Sequence, residues 1–306
     1  MTISYDNQPD PSSPLDIAPV TGRIGGEVRG IKLGPDISDA DVAAIEAALA
    51  RHKVLFFRDQ DHLTDESQEA FANRLGRPVA HPTLKVAPGS SYILELATAE
   101  NRVASVWHTD VTFTADYPRA SILRGVDMPP AGGDTMWINT VTAYKYLPDT
   151  LKQLAESLRV IHTNMFDYLA PSPVQNAKSS DFSAFTATRF ETEHPMVRVH
   201  PVTGEKLLLL GGFAREIVGL PKADSDALLA MFTRHVEATE NIVRWHWRTG
   251  DLVIWDNRAT QHKVAADLGN QTRVVRRVTL AGEVPVGVDG RQSVQIHPEP
   301  LAVAAE

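Results

Sequence analysis

The sequence predicts an α+β fold that is mainly β: a double-stranded β-helix (jelly roll) with flanking helices. Three observations predict it. Short strand signals separated by turns dominate the chain from Ser105 onward. Helix signals are few and lie around that series rather than alternating with every strand, which argues against a parallel α/β sheet. Metal-competent side chains stand in two distant strand-like runs, as expected if two strands of one barrel meet around an ion.

The elements follow in order. Met1 to Asp16 carries Pro, Ser, Asn and Asp with no basic or apolar stretch, and reads as a loose tail rather than a signal peptide. Gly25–Leu33 reads as a glycine-punctuated strand or hairpin. Ser38, with Asp41 three residues on, opens a helix whose Val42, Ile45 and Leu49 share a face. Val54–Phe57 is short, continuously apolar and bounded by charge, hence a buried strand. A second helix runs from about Thr64 to a stop at Gly76.

Strands are expected over Ser121–Arg124, Thr135–Ile138, Met196–Val199, Leu207–Leu210 and Val274–Leu280. Ile242–Arg248 alternates, with Val243, Trp245 and Trp247 on one face. Helices are expected at about Ala143–Leu158 and Lys222–Val236. Residues 164–192 are polar, irregular and rich in Ser and Ala, and a lid is expected there. The resulting division is a tail over 1–16, one jelly-roll domain over 17–290 and a second tail over 291–306.

Composition narrows the chemistry. The chain has no cysteine, which removes disulfides, thiolate metal sites and cysteine nucleophiles together, so any metal must be held by His, Asp or Glu. A net charge of −8 argues against nucleic acid or an anionic membrane as partner. A small anionic substrate remains compatible, because a few arginines can be concentrated in one pocket. No run is apolar enough to span a bilayer, and the cytoplasm is the expected compartment.

Ser105–Phe113 carries the most information. If this run is a strand, period two projects His108 and Asp110 to one side and Thr109 to the other. One imidazole and one carboxylate supply two-thirds of the 2-His-1-carboxylate set that holds non-haem Fe(II). The third candidate is His262 in Trp255-Asp-Asn-Arg-Ala-Thr-Gln-His262, just past the strand-like Leu252–Trp255. His52, His62, His162, His194, His200, His235, His246 and His297 read instead as structural or solvent-exposed.

Past His262, period two places Arg273, Val275 and Arg277 on one face of a strand and Val274 and Arg276 on the other. Arginines directed into a metal-bearing barrel call for anionic partners, and guanidinium offers carboxylate or sulfate a bidentate fork. Taken alone, the stretch also fits a basic strand on a solvated face. Thr135, at the start of a strand after Pro129–Asp134, can share an anion with an arginine or simply stabilise the turn.

Together these residues resemble the taurine dioxygenase-like branch of the Fe(II)/2-oxoglutarate-dependent oxygenases. The resemblance spans roughly Val20 to Val288 and rests on Trp107–Phe113, Gly132–Thr135, His200-Pro, Trp255–His262 and Arg273…Arg277, in the family's order and spacing. Val20–Gly25, His52–Arg58 and Arg276–Val286 look most like the bacterial alkylsulfatases, which cleave alkyl sulfate esters oxidatively. The resemblance implies Fe(II), with 2-oxoglutarate and O2 as cosubstrates. It implies His108, Asp110 and His262 as iron ligands and Arg273 with Thr135 as the clamp on 2-oxoglutarate. Arg277 and His81 would meet the substrate's anion, and Phe213 and Val111 its chain. It also implies a dimer or tetramer.

Two departures bear on substrate. Where taurine dioxygenase has a Tyr after the histidine matching His81 and an Asn before the first ligand, this chain has Leu84 and Ala104. Loss of those polar groups disfavours the taurine amine and favours a longer apolar chain ending in sulfate. A sulfonate, an aryloxy carboxylate or another carboxylate as substrate stays open, as does a zinc hydrolase, although hydrolysis leaves Arg273 and Thr135 without a task.

Overall fold

The computed structural model describes residues 5–98, 104–165, 185 and 187–298. The first part of the chain builds β1 (Asp16–Pro19), β2 (Gly26–Arg29), α1 (Asp39–His52) and β3 (Val54–Phe57). It continues through α2 (Asp65–Leu75), β4 (Pro78–Val79), β5 (Leu94–Ala97), β6 (Ala120–Asp127) and β7 (Thr135–Asn139). The middle holds α3 (Thr140–Lys145), α4 (Asp149–Ser157), β8 (Arg159–Thr163), β9 (Glu191–Pro195) and β10 (Val197–Val199). Then come β11 (Lys206–Leu208), β12 (Ala214–Ile217), α5 (Lys222–Val236) and β13 (Ile242–Trp245). The last strands are β14 (Leu252–Asp256), β15 (Thr260–Val264), β16 (Val274–Leu280), β17 (Val286–Gly287) and β18 (Val294–His297).

A large sheet runs β1-β2-β3-β14-β6-β16-β4, with β5 also on β16, and only the β2–β3 pairing in it is parallel. The strip β13-β7-β15 faces it, and β12-β8-β9-β18 and β11-β10-β17 complete the β layers. The period-two pleat divides the large sheet's side chains. Leu55, Phe57, Ile122, Leu252, Ile254 and Val278 pack under α1 and α2. Val54, Phe56, Leu123, Val253, Trp255 and Val275 turn inward against Trp137, Val243 and Trp245 of the facing strip. Each such buried side chain contributes roughly 1.5–3 kcal/mol. This alternation aims Arg277 inward with Val275, while Arg276 emerges on the helix side and pairs with Asp65 and Glu95.

The first two helices start where the sequence says. Ser38 accepts from Asp41 N at 3.0 Å, and Thr64 forms a reciprocal capping box with Ser67. The expected helix over Ala143–Leu158 is instead two, α3 and α4, divided around Pro148. Proline lacks the amide a continuous helix needs, and it biases Leu147 away from helical dihedrals. The two expected tails are also partly structured. Buried Asn7 donates to Thr21 O and Gly25 O and meets His52 Nδ1 at 2.6 Å, while β18 pairs with β9. The expected lid over 164–192 falls mainly on 166–184, outside the described residues. Its described ends are tied by Asn164, which donates to Phe185 O and Thr188 O and accepts from Phe190 N.

Burial of histidine sets a pH dependence. His52 is lowered to about 4 by burial and by the Arg51 and Lys53 charges, and His162 to about 3 by burial. Both are neutral in the folded chain, whereas in the unfolded chain they take up protons below about pH 6.5. Their contribution is therefore present above that pH and is lost as pH falls toward 4. We expect the thermal midpoint to drop between pH 7 and pH 5 in a calorimetric series. A flat midpoint over that range would contradict the neutral burial of these rings.

Candidate metal centre and anion pocket

The segment expected to be a strand carrying His108 and Asp110 is not one. His108 makes a single β-bridge with His262, and Asp110–Phe113 form a turn. Pairing of the chain with β15 ends at that bridge, so the two donors converge through a bend rather than through the period of a pleat. Val111 sits at φ 62°, a left-handed conformation that a β-branched residue adopts only under constraint, at roughly 1–3 kcal/mol.

Identifiable groups impose the bend. Asn257 accepts from Asp110 N at 2.9 Å and donates to Asp110 O at 3.1 Å and Pro118 O at 2.8 Å. Thr114 donates to Val111 O through both its amide and its hydroxyl. Thr109, pointing away from the donors, bonds Thr260 O of β15 at 2.7 Å. The β14–β15 corner is braced in turn by buried Asp256, which accepts from His200 Nε2 at 2.9 Å and from the Arg258 side chain.

His108, Asp110 and His262 then meet. One donor atom from each lies within 4.8 Å of the others, all three residues are buried, and no other such group occurs among the described residues. Asp110 Oδ1 is 3.7 Å from His108 Nε2 and 3.8 Å from His262 Nε2. His108 Nδ1 lies 2.8 Å from Val106 O, so that nitrogen carries the proton and Nε2 keeps its lone pair. Burial lowers His108 to about 4 despite the opposing Asp110 charge, which keeps the imidazole in the neutral form a metal requires. Burial opposes ionisation of Asp110 too. Arg277, His262, His108 and a 2.8 Å bond from Ser121 Oγ nevertheless hold its carboxyl well below the usual range. Two neutral imidazoles and one carboxylate on a common side are the facial set that suits Fe(II), so the residues fit that ion.

All nine residues singled out in the sequence line one cavity: His81, His108, Asp110, Val111, Thr135, Phe213, His262, Arg273 and Arg277. Arg273 donates through Nε to Gly133 O and through Nη2 to Thr135 Oγ1, each at 3.1 Å. The approach depends on Gly133, at φ +66°, where a Cβ would stand 2.5 Å from Leu268 and 3.1 Å from Arg273 Cδ. No ion pair joins Arg273 to a carboxylate among the described residues, and burial lowers it to about 10. Arg277 bonds Asp110 through Nη1, and its buried Nε has no acceptor among the described residues.

His81 Nδ1 accepts from Leu84 N at 3.1 Å and Thr83 N at 3.2 Å, so its Nε2 carries the proton. Burial, then Arg277, lowers it to about 3, making His81 a neutral N–H donor. Leu84, Leu94, Leu96, Ala104, Val264 and Phe185 supply an apolar wall. Sequence reasoning did not single out Asn257, Ser121 or Trp247 for the site. Asn257 was legible only as part of the Trp255–His262 run. Trp247 was read as one apolar tooth of an alternating strand, and that alternation of burial does continue past β13 to Trp247.

Comparison with known proteins places this geometry. Residues 16–279 match the model of the "Taurine catabolism dioxygenase TauD, TfdA family". A Pseudomonas putida protein named alpha-ketoglutarate-dependent sulfate ester dioxygenase is 56% identical over 91% of this chain and 93% of its own. An Acinetobacter baylyi alkylsulfatase is 48% identical over 96% of this chain and 93% of its own. A crystal structure of a taurine dioxygenase from Burkholderia xenovorans superposes with a TM-score of 0.79 at 38% identity, covering 94% and 96% of the two chains. This chain is therefore a member of the taurine catabolism dioxygenase TauD, TfdA family.

Proposed function

We propose that this protein is an Fe(II)- and 2-oxoglutarate-dependent dioxygenase that cleaves alkyl sulfate esters to aldehyde and inorganic sulfate, with succinate and CO2 as coproducts. The observation that carries the reading is the pairing of two buried arginines with an apolar wall around one His-Asp-His set. Two anions are thereby called for, and one of them carries a hydrocarbon chain. The names of the two relatives with 56% and 48% identity agree.

His108, Asp110 and His262 would hold the iron. Bound there, Fe(II) with 2-oxoglutarate and O2 supplies oxidation of a C–H bond, coupled to decarboxylation of the cosubstrate. Arg273 and Thr135 would grip the distal carboxylate of 2-oxoglutarate. Arg277 would pair with the sulfate by its guanidinium fork, and neutral His81 would add an Nε2–H donor without adding charge. That leaves a single cation opposite a singly charged ester.

Val111, Phe213 and the Leu84–Leu94–Leu96 wall would seat the chain, exclude water and present the carbon next to the ester oxygen. Hydroxylation at that carbon gives a hemiacetal-like sulfate. Its hydroxyl proton departs, the carbon–oxygen bond to sulfate breaks, and aldehyde and sulfate separate. Leu84 and Ala104 leave an ammonium without polar partners, which sets the taurine amine at a disadvantage.

Two outcomes are expected. With Fe(II), 2-oxoglutarate and O2 supplied, a medium-chain alkyl sulfate should yield sulfate and succinate in equal amounts, and taurine and an aryloxyacid should turn over far more slowly. Sulfate released without 2-oxoglutarate would rule out the oxidative route. Arg277→Ala should cost about 100-fold or more in kcat/KM for the alkyl sulfate, the loss expected of an unpaired buried ionic contact, with 2-oxoglutarate binding little changed. If calorimetry instead finds that Arg277→Ala loses 2-oxoglutarate and Arg273→Ala retains it, the two arginines have exchanged roles.

A further inference from the structure

Thr135 offers one hydroxyl proton and two lone pairs. Both lone pairs are engaged: Arg273 Nη2 donates to Oγ1 at 3.1 Å, and the indole Nε1 of Trp247 donates to the same oxygen at 2.9 Å. Thr135 and Trp247 are both buried. No acceptor for the Thr135 hydroxyl proton occurs among the described residues, while Thr135 itself lines the cavity. With both lone pairs filled by protein donors, that hydroxyl cannot accept from a ligand and is left to donate.

Trp247 also lies beside the second half of the clamp. The Arg273 guanidinium carbon lies 5.9 Å from the indole centroid, within the range in which an aromatic face favours a cation. Trp247 does not itself line the cavity. It is held from behind by Trp137, 6.4 Å away between ring centroids. One indole thus fixes the polarity of the threonine and lies against the arginine.

We infer that Trp247 is a positioning residue for the cosubstrate: by donating to Thr135 Oγ1 it forces the threonine hydroxyl to act as a donor toward the distal carboxylate of 2-oxoglutarate. The inference rests on the cosubstrate reading above. It confines the action of Trp247 to one end of one ligand. A residue that merely filled the core would weaken metal, cosubstrate and substrate together.

The test compares 2-oxoglutarate with 2-oxopentanoate, which keeps the keto acid and replaces the distal carboxylate by a methyl group. Dissociation constants are measured by anaerobic calorimetry on the iron-loaded enzyme. The wild-type chain should prefer 2-oxoglutarate strongly. Trp247→Phe keeps an aromatic face beside Arg273 and removes the N–H, and should lower that preference about tenfold through weaker 2-oxoglutarate binding, with iron and 2-oxopentanoate affinities unchanged. In a Thr135→Val background the same substitution should change the preference less than about twofold, since the indole acts through the hydroxyl. Full preference retained in folded Trp247→Phe overturns the inference.

Should Trp247→Phe not fold, indole 15N–1H spectra decide. An indole resonance should move when 2-oxoglutarate binds and stay when 2-oxopentanoate binds, and Thr135→Val should abolish the difference. Identical indole spectra with the two ligands overturn it equally. A wild-type chain that prefers neither acid would instead overturn the cosubstrate reading.

Discussion

Two backbone hydrogen bonds, His108 N to His262 O at 3.1 Å and His262 N to His108 O at 2.7 Å, hold this site together. They make two histidines distant in the chain into facing neighbours before any side chain is considered. The third donor, Asp110, is set by the turn that leaves this bridge. That turn exists because Asn257, on the chain that leads into β15, grips the Asp110 peptide from both sides. The same stretch of polypeptide therefore carries one donor and positions the carrier of another. The left-handed Val111 is the cost of the arrangement, and it persists because the surrounding hydrogen bonds over-determine it.

Around that frame the charges are arranged by depth. Outer ion pairs such as those of Arg276 with Asp65 and Glu95 tie α2 and β5 to β16, and being partly exposed they contribute modestly. Inward-facing Arg277, next to Arg276 on β16, and Arg273, just before that strand, lie in a region where an unmatched charge is expensive. Arg273 meets a carbonyl, a hydroxyl and an indole face, and Arg277 meets Asp110 while retaining a buried donor without an acceptor among the described residues. Such incompletely matched cations in an apolar cavity are what distinguishes a binding site from a structural network. The His200–Asp256–Arg258 group, with its carboxylate fully engaged, is the structural counterpart.

Much of this was legible in the sequence, for reasons that differ by element. The buried strand Val54–Phe57 is read from an unbroken apolar run bounded by charge, and the alternation through Arg273–Arg277 from period two, which survives wherever a strand has one face inside. Ser38 and Thr64 announced their helices because cap chemistry is local. The division of α3 from α4 lies around Pro148, and apolar periodicity that continues across the proline masks it in the sequence. Residue types and order point to the candidate ligands, but the chain between them is a turn, not the strand that period two implies, and its shape depends on Asn257. Long-range contacts of that kind leave no local periodicity. Trp247 illustrates the same limit, since its place in an alternating pattern explained its burial and concealed the use of its N–H. The Asn7 anchor was equally invisible in a stretch of turn-forming residues.

The contact between Arg277 and Asp110 has a selective consequence. A ligand with the same hydrocarbon tail but an uncharged head, such as the parent alcohol, gives the guanidinium no reason to share itself with a newcomer. It would forfeit the electrostatic reward while still paying to dry the headgroup. On the proposed chemistry the pocket therefore sorts candidates by their formal charge before their shape, and fatty alcohols or neutral surfactants should be poor competitors even where the greasy lining welcomes them.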